Sequence, residues 1–343
     1  MNAIKTALVG FGMSAQRFHM SVFRTINDIE LTAVVSSKPQ FVHSILPDVT
    51  VYQDIKNMLA ETSIELVIIV TPNEFHFFGA KAALQAGKHV VVEKPFVITC
   101  QEGVELIAEA KRCQRCLTVY QNRRCDGDFR TVQRLINEGA LGDVHTFYSS
   151  YNRYIPKVKV RWRESSAPGA GILYDLGAHI IDQAIVLFGK PKSVSATLRR
   201  QRPGAEAVDH FHLVLGYENK DVILHSNYLS CAAGPRFQVF GNQGAFIKYG
   251  MDPQESYLQE GHGPDAKGWG EDSPGSFGVL TDASGLERTI PTVRGGYEDF
   301  YHQLIKTLRN KEPLPVDPLQ VLDTIAVIES ALQSHTQQKV ILL

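Results

Sequence analysis

The chain has 343 residues, 44% hydrophobic and 21% charged, which is enough for two domains that each bury a core. A formal net charge of −1 at pH 7 excludes a strongly basic or acidic surface, so neither nucleic acid nor a membrane is expected as a partner. No apolar run approaches the roughly 18 residues of a membrane span, and the first residues lack the long apolar segment of a signal peptide. We therefore expect a cytoplasmic protein.

Cysteine usage indicates neither a disulfide framework nor a metal site. Five cysteines are an odd number, and Cys113 and Cys116 form a single C-x-x-C at the end of a polar helix. No second pair and no nearby histidine pair completes a zinc site, so no metal is expected here. A redox pair is the alternative, and we interpret the cysteines as reduced thiols.

A dinucleotide-binding pattern begins a few residues into the chain. Residues 5–9 have the composition of a buried parallel strand, and G-x-G-x-x-A follows at 10–15, before a helix predicted over 15–25. The first glycine allows a tight turn, the second lets a pyrophosphate approach the main chain, and the small third residue lets the helix pack on the strand. This context favours a nucleotide site over a fortuitous glycine-rich turn. The candidate cofactor-binding residues of this loop are Gly10, Phe11, Gly12, Met13 and Ser14.

The end of the second strand bears on the choice of cofactor. Residues 30–35 are predicted to form this strand, and Ser36, Ser37 and Lys38 follow it. An NAD site usually places a carboxylate here for the ribose hydroxyls, whereas hydroxyls and an ammonium suit a 2′-phosphate. We therefore expect NADP, with NAD less favoured. The alternative is that Lys38 is only a solvated surface residue.

Further strands predict a shared ligand edge. They are expected at residues 49–52, 66–70, 89–92 and 117–120. In an open parallel sheet, ligands bind beyond the carboxyl ends of the strands. A lysine at a strand end, before a proline, suits a role in the site, and a solvated surface group is the alternative. The candidate cofactor-binding residues at this edge are Thr71, Pro72, Asn73, His76, Glu93 and Lys94.

The pattern changes after the polar run at 121–128, which predicts a Rossmann domain over 1–121 and a second domain over 122–343. Alternation with a period of two predicts an open, mostly antiparallel sheet with a helix pair. The expected fold class is α/β, with a doubly wound parallel sheet followed by an α+β domain. The candidate strands lie at 144–152, 193–200, 207–217, 221–229, 236–241 and 245–249. A segment rich in Gly, Pro, Asp and Ser, at 250–285, is expected to be a long surface loop.

An apolar helix in the second domain opens with Asp175 and His179. On a helix, residues four apart share one face, so the carboxylate can orient the imidazole for proton transfer. Taken alone, the spacing also fits an ordinary surface pair at a helix start.

Four motifs occur in one order: GFGMSA at 10–15, TPNEFH at 71–76, AGKHVVVEKP at 86–95 and YDLGAHIIDQ at 174–183. With them the whole chain resembles the Gfo/Idh/MocA family of NAD(P)-dependent oxidoreductases. The resemblance implies that Lys94, Asp175 and His179 are catalytic and meet in a cleft between the domains. Within the family, residues 120–129, 150–164 and 173–183 resemble the NADP-dependent scyllo-inositol dehydrogenases.

The resemblance implies hydride transfer between NADP(H) and the CH–OH carbon of a cyclic polyol or sugar, with scyllo-inositol as the expected substrate. His179 would serve as the base, Lys94 would stabilise the charge on the substrate oxygen, and Asp175 would orient the pair. A polyol needs several hydrogen-bond donors and an aromatic face. The further candidates for the substrate wall are Asn122, Arg123, Tyr154, Trp162 and Arg163. The two arginines of the 121–128 run could instead belong to a solvated hinge.

Three alternatives stay open at this point. The enzyme could act on another sugar, or the chain could be a non-catalytic NADP-binding sensor, because a fold does not fix a function. A metal site of Asp175, His179 and Asp182 would need three ligands from successive helical turns to converge on one ion.

The open sheet of the second domain needs a cover, so a homodimer or homotetramer through that sheet is expected.

Overall fold

Short runs of β-branched residues build a six-stranded parallel sheet in the N-terminal part of the chain. The strands are β1 (Ile4–Val9), β2 (Ile29–Val35), β3 (Thr50–Tyr52), β4 (Leu66–Ile69), β5 (His89–Glu93) and β6 (Leu117–Tyr120). Their order is β3-β2-β1-β4-β5-β6, and every neighbouring pair is parallel. All four residues of β4 are buried, as expected for a strand with helices on both faces of its sheet. This is the doubly wound order, and the prediction of a Rossmann sheet is confirmed.

Helices follow these strands. They are α1 (Met20–Phe23), α2 (Pro39–Ile45), α3 (Ile55–Leu59), α4 (His76–Gln85) and α5 (Cys100–Cys113). The start of α5 is set by a capping box, in which the Thr99 hydroxyl accepts from the Glu102 N–H and the Glu102 carboxylate accepts from the Thr99 N–H. The expected helix over 15–25 is present over 15–23, where a π-helical turn, Ala15–His19, continues into α1.

A nine-stranded sheet forms the second half. Its strands are β7 (Val144–Ser150), β8 (Ser193–Arg199), β9 (His210–Gly216), β10 (Asp221–Asn227), β11 (Pro235–Gly241), β12 (Gly244–Tyr249), β13 (Gly278–Asp282), β14 (Glu287–Ile290) and β15 (Ile341–Leu342). Their order is β14-β13-β12-β11-β7-β10-β9-β8-β15. Only the β7–β10 pair is parallel, so the predicted open, mostly antiparallel sheet is confirmed.

The remaining helices are α6 (Gly127–Asn137), α7 (Ala178–Phe188), α8 (Gln254–Gln259), α9 (Glu298–Asn310) and α10 (Pro318–Gln337). Of these, α7 packs against β10. The apolar residues of α7, such as Ile180 and Ile181, are buried together with Phe211 and Leu224 of the sheet.

The computed structural model describes residues 2–343. By its contacts the chain forms two units. The first, the nucleotide unit, comprises residues 2–122, 254–269 and 297–322; the second, the sheet unit, comprises 123–253, 270–296 and 323–343. The division after residue 121 stays a prediction. Within the described residues, no helix combines the length and the apolar character that crossing a membrane requires.

The prediction of a surface loop over 250–285 is wrong, because the segment contains α8 and β13. Buried side chains hold it in two places. In the nucleotide unit, the Trp269 indole donates to Glu298 Oε2 at 2.9 Å. In the sheet unit, the buried Lys248 ammonium donates to Asp272 Oδ2 at 2.7 Å. These partners lie far apart in sequence, so the local composition does not reveal them.

Candidate active site

The glycine-rich loop has the shape that a dinucleotide requires. Gly10 has φ +102°, and a Cβ there would lie 2.8 Å from the Val70 carbonyl oxygen, so only glycine fits this turn. A Cβ on Gly12 would meet no atom within 4 Å. The main chain at Gly12 is therefore open to a pyrophosphate, and the loop fits the group that the motif implies.

The helix after the loop starts irregularly. Ser14 precedes the π-helical turn Ala15–His19, and the Gln16 side-chain amide donates to the Phe11 carbonyl at 3.1 Å, which closes the loop. Met13 is exposed and Phe11 is buried. The Ser14 hydroxyl donates to Glu93 Oε1, so this predicted cofactor residue already has a protein partner.

The end of β2 is open to solvent. Ser37 and Lys38 are exposed, and the Ser36 hydroxyl accepts from the Lys38 N–H at 3.2 Å. The Gly10 N–H donates to the Val35 carbonyl at 3.0 Å, so the glycine loop and this strand end are neighbours. No carboxylate stands among residues 36–38.

The end of β4 contributes a mixed set. Thr71 Oγ1 is buried and makes no hydrogen bond to any described residue, whereas Pro72 is half-buried and Asn73 is buried. His76 Nδ1 lies 2.8 Å from the Pro95 carbonyl and Nε2 lies 3.0 Å from the Thr71 carbonyl. Burial lowers the pKa of His76. His76 therefore joins two strand ends, and its ring contacts the main chain rather than an open site.

Glu93 ends β5 with its carboxylate buried. Oε1 accepts from His19 Nε2 at 3.0 Å as well as from Ser14, and Oε2 accepts from the Lys94 N–H at 3.0 Å. Burial alone would raise the pKa of Glu93. Hydrogen bonds and charge from His19, followed by Ser14 and Lys94, outweigh burial and lower this pKa to about 2. Glu93 is thus a carboxylate at neutral pH.

In the sheet unit, Asp175 and His179 do not share one regular helix. Asp175 lies in a π-helical turn, Leu173–Gly177, and His179 lies in the first turn of α7. The predicted helix is therefore present, but its first part, which carries Asp175, is π-helical. The turn opens on Gly171, whose φ is +90° and whose carbonyl accepts from the Asp175 N–H at 3.0 Å.

Two of the predicted wall residues lie beside Asp175. Arg163 Nε is 3.7 Å from Asp175 Oδ1, and the Arg163 guanidinium lies 4.9 Å from the centroid of the Trp162 ring. The Gly171 N–H donates to the Arg163 carbonyl at 2.9 Å, which fixes this segment to the start of the turn. The structure thus groups Trp162, Arg163 and Asp175. His179, four residues after Asp175, is buried.

The other wall candidates have different surroundings. Tyr154 is 57% exposed and pairs by a β-bridge with Leu229. Asn122 is buried in the nucleotide unit. Arg123 is buried in the sheet unit, 3.2 Å from Asp126 Oδ2. A solvated hinge is therefore excluded for Arg123.

Sequence reasoning missed the partners of the second linker arginine. Arg124 donates to both carboxylate oxygens of Asp182 on α7, at 2.7 and 2.8 Å. On the same helix, the Gln183 amide donates to the Arg123 carbonyl at 2.9 Å. Among residues 2–343, no group of three His, Cys, Asp or Glu side chains could hold a metal ion. The polar run at 121–128 was a signal for these contacts, but it did not identify their partners.

A glycine cradle at the edge of a doubly wound sheet is the arrangement of a dinucleotide-binding protein, and nicotinamide dinucleotides are the cofactors of many oxidoreductases. Comparison with known proteins agrees. Residues 4–121 match the Gfo/Idh/MocA model described as "oxidoreductase family, NAD-binding Rossmann fold". Residues 133–343 match its "C-terminal alpha/beta domain". The chain therefore belongs to the Gfo/Idh/MocA family of oxidoreductases, and it is a dehydrogenase, as the motifs predicted.

Similar proteins cover its full length. The chain is 40% identical over 346 residues to the scyllo-inositol 2-dehydrogenase (NADP(+)) IolW of Bacillus subtilis, spanning 100% of this chain and 97% of that one. It is 42% identical over 334 residues to the Escherichia coli oxidoreductase YdgJ, described as uncharacterized, spanning 96% of each. A solved structure of YvaA from Bacillus subtilis superposes with a TM-score of 0.96 at 40% identity, covering 100% of this chain and 99% of that one.

The lowered pKa of Glu93 predicts a loss of stability in acid. In the unfolded chain the carboxyl titrates near its ordinary value of 4.5, and in the fold near 2. The stabilisation is therefore complete above the unfolded value and is lost as the pH falls toward 2. It amounts to about 3 kcal/mol. Urea unfolding of the wild type should show this decline in the free energy of unfolding. Glu93→Gln should have a lower free energy of unfolding at neutral pH, and that free energy should fall less steeply as the pH is lowered.

The exposed Glu260 provides the control. In Glu260→Gln the free energy of unfolding should fall with decreasing pH as it does in the wild type. If the free energy of unfolding falls as steeply in acid in Glu93→Gln as in the wild type, the charge assigned to Glu93 is contradicted.

Proposed function

We propose that this protein is an NADP-dependent dehydrogenase that interconverts scyllo-inositol and its 2-ketone. The observation that carries the proposal is that the glycine cradle and the Asp175–His179 segment occur in one chain. Full-length similarity to a protein named scyllo-inositol 2-dehydrogenase (NADP(+)) supports both the substrate and the cofactor.

The chemistry requires a base for the substrate hydroxyl. NADP⁺, when bound, accepts the hydride. The proposal gives His179 the role of accepting the hydroxyl proton, because an imidazole titrates near neutral pH. Asp175 orients the proton-transfer groups. The Lys94 ammonium donates a hydrogen bond to the substrate oxygen and stabilises its developing negative charge.

The substrate wall rests on the grouping around Asp175. The indole of Trp162 offers a flat apolar face for a polyol ring, and the half-buried guanidinium of Arg163 offers several N–H donors. Arg163 lies close enough to Asp175 to orient its carboxylate. Tyr154, which is exposed, is a further wall candidate. Asn122 and Arg123 belong to the proposed wall as buried residues that support it.

Lys94→Ala tests the catalytic assignment. The expected result is a fall in kcat of about 10²- to 10⁴-fold, because charge stabilisation at the substrate oxygen is lost, while the Kd for NADPH stays within about threefold. The measurement is initial-rate NADP⁺ reduction with scyllo-inositol, myo-inositol, glucose and xylose, combined with NADPH titration. Lys81, which pairs with Glu105 on the surface, gives the control variant Lys81→Ala.

Each outcome of this panel has a meaning. Activity of the wild type on scyllo-inositol and loss of that activity in Lys94→Ala would support the proposal. Activity on another sugar alone would contradict the substrate, and wild-type turnover in Lys94→Ala would contradict the mechanism. Tight NADPH binding with no activity on any polyol or ketone would favour a sensor.

Lys38→Ala tests the cofactor preference. The exposed ammonium and the hydroxyls of Ser36 and Ser37 are proposed to bind the 2′-phosphate. Loss of one charge-assisted hydrogen bond should raise the KM for NADP⁺ about tenfold and leave that for NAD⁺ unchanged. Lys111→Ala, at an exposed lysine on α5, should change neither. An equal effect on both cofactors, or no effect, would contradict an NADP site at Lys38.

We propose also that two or four chains associate through the nine-stranded sheet. Its alternate apolar residues Tyr148, Val214, Ile223 and Ile247 are half-buried on the face opposite the core. Light scattering should give a molar mass of two or four chains, and Ile223→Glu should shift it toward one chain while retaining NADPH binding. A monomeric wild type at micromolar concentration would contradict this assembly.

A further inference from the structure

A buried chain of hydrogen bonds lies beneath the glycine loop, formed by Ser14, His19, Glu93 and Tyr301 and called here the Glu93 network. We propose that Glu93, His19 and Tyr301 are positioning residues, which hold the cofactor loop and the main chain at Lys94 in the geometry that NADP binding needs. The inference rests on the cofactor-binding part of the proposed function. It assigns roles to two residues, His19 and Tyr301, that no motif identifies.

The hydrogen bonds of Glu93 argue against direct binding of the ribose. Its residue surface is 7% exposed, and both carboxylate oxygens accept from the protein. The three donors are a hydroxyl from the loop, a ring N–H from the helix and the main-chain N–H of Lys94. The enclosed carboxylate therefore holds these elements in position relative to one another, and the groups around it contact the cofactor.

His19 connects this carboxylate to the core. It has no exposed surface and is the last residue of the π-helical turn that begins at Ala15. A carboxylate only accepts, so Nε2 donates to Glu93, and Nδ1 hydrogen-bonds to the Tyr301 hydroxyl. The His19 ring also lies 4.5 Å from the ring of Tyr120. One imidazole, with a hydrogen-bond partner at each nitrogen, therefore links the helix behind the loop to both Glu93 and Tyr301.

Tyr301 supplies the far end of the network. It lies on α9, is fully buried, and packs against Phe23 with ring centroids 4.9 Å apart. Burial raises the pKa of Tyr301 well above its ordinary value, so its hydroxyl stays protonated at neutral pH. Through this hydroxyl, the segment 297–322 of the nucleotide unit contacts His19, at the end of the π-helical turn that follows the cofactor loop.

Tyr301→Phe removes that hydroxyl and keeps the ring. His19 then loses one of its two partners, and the loop that bears Ser14 is less firmly held. We expect the Kd for NADPH and the KM for NADP⁺ to rise about three- to tenfold, whereas kcat at saturating cofactor stays within about twofold. A merely structural role would change stability without this split between KM and kcat.

Thr118→Val is the matched control. The Thr118 hydroxyl is also buried in the nucleotide unit and donates at 2.7 Å to the Val316 carbonyl, outside the Glu93 network. This variant should lose a similar amount of thermal stability, with the Kd for NADPH unchanged. If Tyr301→Phe binds NADPH as the wild type does, or if both variants lose affinity in proportion to their loss of Tm, the inference is wrong.

A double-variant cycle tests the connection without relying on one substitution. Ser14→Ala cuts the same chain from the loop side. If the network acts as a unit, the double variant Ser14→Ala, Tyr301→Phe should have a Kd for NADPH no higher than that of the single variant with the higher Kd. Losses that multiply would overturn the inference. A wild type that fails to bind NADPH would instead refute the proposed function, so the two failures are distinguishable.

Discussion

A carboxylate buried at the end of a parallel strand connects several elements of the nucleotide unit. Glu93 ends β5 at the same edge as the glycine loop, and a buried charge persists only where hydrogen bonds replace its water. Those bonds come from Ser14, from His19 and from the main chain of Lys94. Because one carboxylate binds a loop, a helix and a strand end, these elements cannot shift independently.

An irregular helix start lies beside predicted site residues in each unit. The π-helical turn Ala15–His19 belongs to the helix after the glycine loop, and the π-helical turn Leu173–Gly177 contains Asp175. Single π-helical turns inside α-helices are rare and are often found at functional sites. The first turn carries His19, whose ring reaches Glu93, and in the second Asp175 lies beside Arg163.

Much of the fold could be predicted because its signals are local. Apolar runs such as that of β4, and period-two alternation such as that of β7, report burial on two faces or on one. The helix predicted over 15–25 is present over 15–23, although its first part is π-helical. The loop predicted over 250–285 was wrong, because buried contacts with residues distant in the sequence, such as Lys248 with Asp272, hold this segment.

The sequence by itself determined the alternation of strands and helices in the N-terminal part, the glycine cradle, the absence of a carboxylate after β2, and the motifs that identify the family. These follow from residue type and short spacing, which act through local conformation and burial. Only the tertiary structure decided that Arg124 holds Asp182 and that Glu93 is enclosed by protein donors. His19 and Tyr301 stand 282 positions apart in the sequence. Hydrogen bonds over such distances depend on how whole elements pack, and no spacing rule along a chain encodes them.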